Sequence, residues 1–123
     1  MTSGAGLALI ILRHRPEFLA VAQSGRKWVA PGLIVQIGTA PEHALPRPIR
    51  YGLTASGKIG SAVVRNRARR RLRALANEIL PFHAAPEWDY VIIARATTPK
   101  RPYIELRKDL SAALKKLGVW RER

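Results

Sequence analysis

Residues 58–75 read KIGSAVVRNRARRRLRAL, and the structure assigned to this stretch decides the fold. Seven of its residues are basic (Lys58, Arg65, Arg67, Arg69, Arg70, Arg71, Arg73) and none is acidic. A run of like charge is ordinarily disordered or a solvated face. Here, however, Val64, Ala68, Leu72, Leu75 and Ile79 recur at helical spacing. At roughly 100° per residue they fall within an arc about 80° wide. The spacing predicts a helix with a core-facing stripe and its positive charge on the remaining surface. On the helical wheel Arg70 and Arg73 point away from the stripe, with Asn66 between them. Arg65 and Arg71 shoulder it, Arg67 and Arg69 lie on its flanks, and Arg65 and Arg67 splay to opposite sides. Ser61 is the expected N-cap, and Pro81 the expected stop after Leu80.

Working outward, Ile49 to Ala55 (IRYGLTA) alternates as a strand, with Arg50, Gly52 and Thr54 on one face. Upstream, Leu33 to Ile37 (LIVQI) is a second strand, and Trp28-Val29 a short one broken by Pro31-Gly32. Pro16 and Glu17 open a first helix through Phe18, Leu19, Val21 and Ala22, ending before Gly25. Downstream, Asp89 to Ala94 (DYVIIA) reads as a strand buried on both faces. Pro102 starts a last helix with Leu106, Leu110, Ala113, Leu114 and Leu117 on one face and Gly118 at C′. Residues 38–48 and 81–87 read as loops, and residues 1–11 as a flexible N-terminal tail. The order predicts an α+β protein, an α/β sandwich of three helices on a mixed sheet of about four strands, in one domain over residues 1–123.

Composition narrows the partner. The chain carries a formal charge of +14 with 47% hydrophobic residues, enough apolar matter for a core. From His43 to Asn77 there are nine Arg or Lys residues and no acid. Six arginines within residues 65–73 would repel one another on a bare surface, so the pattern points to a polyanion, nucleic acid ahead of an anionic membrane. The apolar stripe is sized for a core, whereas a membrane-surface helix exposes bulky apolar residues. The apolar run LALIIL at residues 7–12 is too short to span a bilayer, and its basic residues follow it, so a cytoplasmic location is expected. With no cysteine there is no disulfide framework or thiolate metal site, and His14, His43 and His83 are dispersed. No nucleophile arrangement stands out, and the spacing of Gly52 and Gly57 fits neither a P-loop nor a dinucleotide fingerprint. A strand, not a helix, precedes the basic helix, which argues against helix-turn-helix DNA binding. A sheet flanked by such a helix favours shaped or single-stranded RNA. Phe18 and Gln36 are candidates for its open face, Phe18 equally for the core.

The residues Arg50-Tyr51-Gly52-Leu53-Thr54, Lys58-Ile59-Gly60 and Ala62 to Arg73 closely resemble the signature of the bacterial ribonuclease P protein family. Weaker matches in the right order extend to Leu12, Arg15, Phe18, Val21 and Gly25-Arg26, and to Asp89–Arg95 and the final helix, covering roughly residues 12–118. The resemblance implies a fold like that of the second domain of a small-subunit ribosomal protein, with a left-handed βαβ crossover. It implies a protein subunit of an endoribonuclease in which a catalytic RNA with bound Mg²⁺ frees the mature 5′ end of precursor tRNA. By position, Lys58, Arg65, Asn66, Arg67, Arg69, Arg70 and Arg73 would face RNA. Phe18, Val21, Gln36, Arg50 and Thr54 would line a cleft for the 5′ leader. The expected assembly is a 1:1 ribonucleoprotein with a monomeric protein and no membrane. Gly57, Leu53, Ala22 and Gln36 depart from common family choices (a second lysine, phenylalanine, and aromatics in some members), which implies a cleft that stacks bases less. The alternative is a non-enzymatic ribosome- or RNA-associated module using the same helix as an anchor.

Overall fold

The computed structural model describes residues 6–42 and 45–123. Along the chain come strand β1 (Leu9–Ile11), helix α1 (Arg15–Gln23), and strands β2 (Arg26–Val29), β3 (Leu33–Thr39) and β4 (Ile49–Thr54). A 3-10 turn (Gly57–Ile59), helix α2 (Ala62–His83), strand β5 (Trp88–Ala94) and helix α3 (Tyr103–Lys116) follow. The strands form one sheet in the order β1-β4-β5-β3-β2. β1 and β4 are parallel, as are β4 and β5, while β3 runs antiparallel to both β5 and β2. Helix α2 is therefore the crossover between two adjacent parallel strands.

Alternation divides the sheet into two faces. Leu33, Val35 and Ile37 of β3, Ile49 and Tyr51 of β4, and Tyr90, Ile92 and Ala94 of β5 are buried in one large core. Ala68, Leu72, Leu75, Ala76, Ile79 and Leu80 of α2 and Leu106, Leu110, Ala113 and Leu114 of α3 complete it. The stripe anticipated for α2 is thus the buried one, although Val64 at its start is only half-buried. On the other face α1 makes a smaller cluster, where Leu12, Val21 and Val91 are buried beside Phe18 and Ile93. β5 is covered on both faces, which is why its sequence is almost continuously apolar.

Two expectations need correction. The sheet has five strands, because Leu9–Ile11, read as part of a tail, is an edge strand. Leu9 pairs with Ile49 and Ile11 with Tyr51; the Ile49 N–H donates to Ala8 O at 2.8 Å and the Leu12 N–H to Tyr51 O at 2.7 Å. This pairing leaves Leu12 4% exposed. A uniformly apolar run shows no period-2 alternation, so nothing local marked it as a strand. Residues 1–5 of that tail lie outside the described residues, as does His43 in the loop after β3.

The second correction concerns α2, which passes through Pro81 and ends at His83. Proline removes one intrahelical donor, but tertiary partners hold this last turn. The Leu7 N–H donates to Pro81 O at 2.8 Å, and the Arg123 guanidinium donates to Pro81 O at 2.9 Å and Ala84 O at 2.8 Å. These contacts satisfy carbonyls that a helix end otherwise leaves to water. No helix among the described residues is long and apolar enough to cross a membrane.

Candidate nucleic-acid interface

The entry to α2 is built from small residues. The Ser56 hydroxyl accepts from the Lys58 N–H at 3.3 Å, and the Ser61 hydroxyl caps the helix by accepting from the Val64 N–H at 3.4 Å. Between them Gly60 has φ 145°, and a Cβ there would lie 3.0 Å from the Val64 side chain. Only glycine fits both the conformation and the space. Lys58 projects from the 3-10 turn into solvent just before the helix N-terminus. Backbone donors and a basic side chain therefore share one end of α2.

The structure sorts the α2 arginines into two groups. Arg65 is half-buried and donates to Gly60 O at 3.2 Å; Arg69 donates to Ala55 O at 3.3 Å and to Asn66 Oδ1 at 3.2 Å. Arg71 donates to Thr98 O at 2.6 Å and Arg101 O at 2.5 Å, fastening the segment between β5 and α3 to the helix. These three guanidinium groups help to hold backbone in place. Arg67, Arg70 and Arg73 are exposed and have no hydrogen-bond or carboxylate partner among the described residues. Glu78, the acid of α2, pairs instead with Arg107 of α3 at 2.7 Å. The outer face of α2 is thus a field of uncompensated, planar, multidentate donors.

The five residues expected to line a cleft lie on the α1 side of the sheet, Phe18 and Val21 on α1 itself and Arg50, Gln36 and Thr54 in three cross-strand rows. Arg50, Asp89 and Gly38 form the first row; Gly52, Val91, Gln36 and Lys27 the second; Thr54, Ile93, Ile34 and Val29 the third. α1 sits over the first two. Val21 is 2% exposed, so it supports the cleft without lining it. Phe18 packs over Gly52, where a Cβ would come 2.5 Å from the ring. Glycine at that position makes the room for the aromatic ring. Gln36 and Thr54 are half-buried and their side chains have no partner among the described residues.

Arg50 has a different surrounding from the one its face suggested. Its Nη2 lies 2.8 Å from Glu17 Oε2 and its Nε 3.0 Å from Asp89 Oδ1, so it bridges α1 to the central strand. The Glu17 carboxylate also accepts from the His14 N–H at 3.2 Å. Desolvation raises the Glu17 carboxyl, but N–H donors of His14 and Arg13 and the Arg50 charge together hold it below its ordinary value of 4.5. Sequence reading placed Arg50 on the correct face but not in this ion pair, because neither Glu17 nor Asp89 is near it in the chain.

The Ribonuclease P family model matches residues 9–118. The ribonuclease P protein component of Paramagnetospirillum magneticum is 49% identical over 109 residues, covering 88% of this chain and 82% of that protein. That of Ruegeria pomeroyi is 42% identical over 114 residues, covering 92% and 90%. Among solved structures, a Staphylococcus aureus RNase P protein mutant with defective mRNA degradation activity superposes with a TM-score of 0.73 at 21% identity, covering 89% of this chain and 88% of that one. The Thermotoga maritima RNase P protein in complex with 1-(4-fluorophenyl)-2-thiourea gives 0.68 at 22% identity, covering 86% and 95%. The two structural likenesses speak for the fold; the family model and the sequence relatives go further. The chain belongs to the ribonuclease P protein family.

Proposed function

We propose that this chain is the protein subunit of ribonuclease P. It binds the catalytic RNA through the outer face of α2 and holds the 5′ leader of precursor tRNA on the α1 face of the sheet. The observation that carries this reading is the group of exposed, partnerless guanidinium groups of Arg67, Arg70 and Arg73, flanked by Lys58 at the helix entry. Phosphate oxygens satisfy such donors bidentately, and neutralising them releases counterions from the RNA. Helix α2 is held against the sheet by its buried stripe and tied by Arg71 to the segment between β5 and α3, so these donors stand on a rigid support. On the opposite face Phe18 offers an aromatic surface beside Gln36, Ile34, Ile93 and Thr54, a floor suited to an extended single strand.

We assign the Mg²⁺ expected in the reaction mainly to the RNA rather than to this chain's described side chains. They include no group of three or more histidine, cysteine, aspartate or glutamate residues able to hold a metal. Glu17 and Asp89, the carboxylates nearest the cleft, are engaged with Arg50. In this reading the metal is held mainly by the RNA, and the chain's own residues bind and orient. The protein acts as a monomer in a 1:1 cytoplasmic particle.

The test is reconstitution. The purified chain alone should leave precursor tRNA intact; with a bacterial ribonuclease P RNA and Mg²⁺ it should restore cleavage at the mature 5′ end. Robust metal-dependent cleavage by the protein alone, or no effect of the protein on the RNA's cleavage, would overturn the assignment.

A further inference from the structure

A pocket of about 380 Å³ opens between the edge strand β1 and helix α2, lined by Leu9, Ile11, Arg13, Tyr51, Arg73 and Asn77. It lies on the α2 side of the sheet, across from the α1 cleft. Two arginines, an asparagine and a tyrosine are among its lining residues, and no acid lines it. Neither Arg13 nor Arg73 has a side-chain partner among the described residues. Tyr51, at its base, is 3% exposed, and its hydroxyl makes no hydrogen bond to any described residue. Its neighbour Tyr90, paired with it across the sheet, donates to Ala85 O at 2.6 Å. The Tyr51 hydroxyl itself still reaches solvent through the pocket and is free to donate to an acceptor there. Desolvation pushes the Tyr51 phenol above its ordinary value, and the nearby Arg73 charge pulls it back. The phenol is thus protonated and donates at neutral pH.

We propose that this pocket takes a phosphate group of the RNA partner, held by Arg13, Arg73, Tyr51 and Asn77. The proposal rests on the reading of the chain as an RNA-binding subunit. It adds the β1 edge to the RNA-facing surface: Arg13 follows β1 and precedes α1, so a phosphate here carries the RNA path from the α2 face around the sheet edge towards the cleft. Three donor types converging on one concavity suit a tetrahedral oxyanion better than a planar base.

The experiment has two arms. In the first, inorganic phosphate is titrated into the full chain at constant ionic strength, with the Leu9 and Ile11 methyl signals as reporters. Saturable shifts are expected, abolished in the Arg13→Gln/Arg73→Gln double variant; shifts that are linear, or equal with chloride, overturn the proposal. In the second arm, affinity for a bacterial ribonuclease P RNA is measured against salt. Arg13→Gln should flatten the slope by about 0.7–0.9. Tyr51→Phe, which keeps the packing, should weaken binding about tenfold with the slope unchanged. Lys108→Gln, a charge removed from α3, should change neither. Wild-type affinity and slope in both pocket variants overturn the RNA contact, even where phosphate alone saturates. A wild-type chain that does not bind the catalytic RNA at all fails the functional reading instead, and the phosphate arm then decides the pocket by itself.

Discussion

Arg71 and Arg70 are adjacent in a run of three arginines, yet the structure gives them opposite surroundings. Replacing Arg71 with glutamine removes two charge-assisted hydrogen bonds, to Thr98 O at 2.6 Å and Arg101 O at 2.5 Å. Hydrogen bonds to charged groups contribute roughly 1.5–3 kcal/mol each. Water can reach part of this half-buried site and restore some of the loss, so the expected cost is about 2–4 kcal/mol. Unfolding entropy near 60 °C is about 2.1 cal/mol/K per residue, which for a chain of 123 residues makes 1 kcal/mol worth roughly 4 °C. The melting temperature of Arg71→Gln should therefore fall by about 8–16 °C. Arg70→Gln removes an exposed guanidinium with no protein partner, so its stability should stay within about 0.5 kcal/mol of wild type. The binding assay should show the reverse order. Arg70→Gln lowers the salt slope for RNA by about 0.7–0.9, while Arg71→Gln, measured well below its melting temperature, leaves it unchanged. Calorimetry and salt-dependent filter binding on the two variants would decide the matter. Equal melting temperatures would refute the clamp, and equal loss of slope would refute the division of the arginines into holding and binding groups.

Gly52→Ala should displace Phe18, because the new methyl would sit 2.5 Å from its ring; a cost of about 1–3 kcal/mol and weaker 5′-leader crosslinking are expected, with affinity for the catalytic RNA retained. Arg67→Ala should flatten the RNA salt slope by about 0.7–0.9 without altering the melting temperature, whereas Arg65→Ala, which loses its bond to Gly60 O, should lower the melting temperature and leave the slope unchanged. The Glu17 carboxyl is depressed in the fold, so its contribution to stability is complete above its ordinary value of 4.5 and is lost as pH falls through its lower folded value. Acid unfolding followed by circular dichroism should show Glu17→Gln losing less stability than wild type as pH drops below that point; parallel curves would refute the role of the Arg50 contact.

Much of the architecture was legible because the relevant physics is local. The period of Val64, Ala68, Leu72, Leu75 and Ile79 specified a helix and its buried face, since a regular backbone turns equally spaced apolar residues into one surface. The hydroxyl of Ser61 marked that helix's start for a similar reason, and the continuous apolar run of β5 marked a strand covered twice. The charge of the helix alone implied a polyanionic partner, and the order of motifs around it carried the family resemblance. What the sequence could not decide by itself was pairing across long separations. Leu9–Ile11 becomes a strand only because β4 lies beside it, and α2 survives Pro81 because Leu7 and Arg123 arrive to satisfy its last carbonyls. The same holds for function within the arginine run. The helical wheel gives the six arginines their directions but not their partners: Thr98 and Arg101 claim Arg71, Gly60 claims Arg65, and Ala55 claims Arg69. Tertiary contact, by engaging some donors and leaving others open, decides which arginines keep a guanidinium without a protein partner.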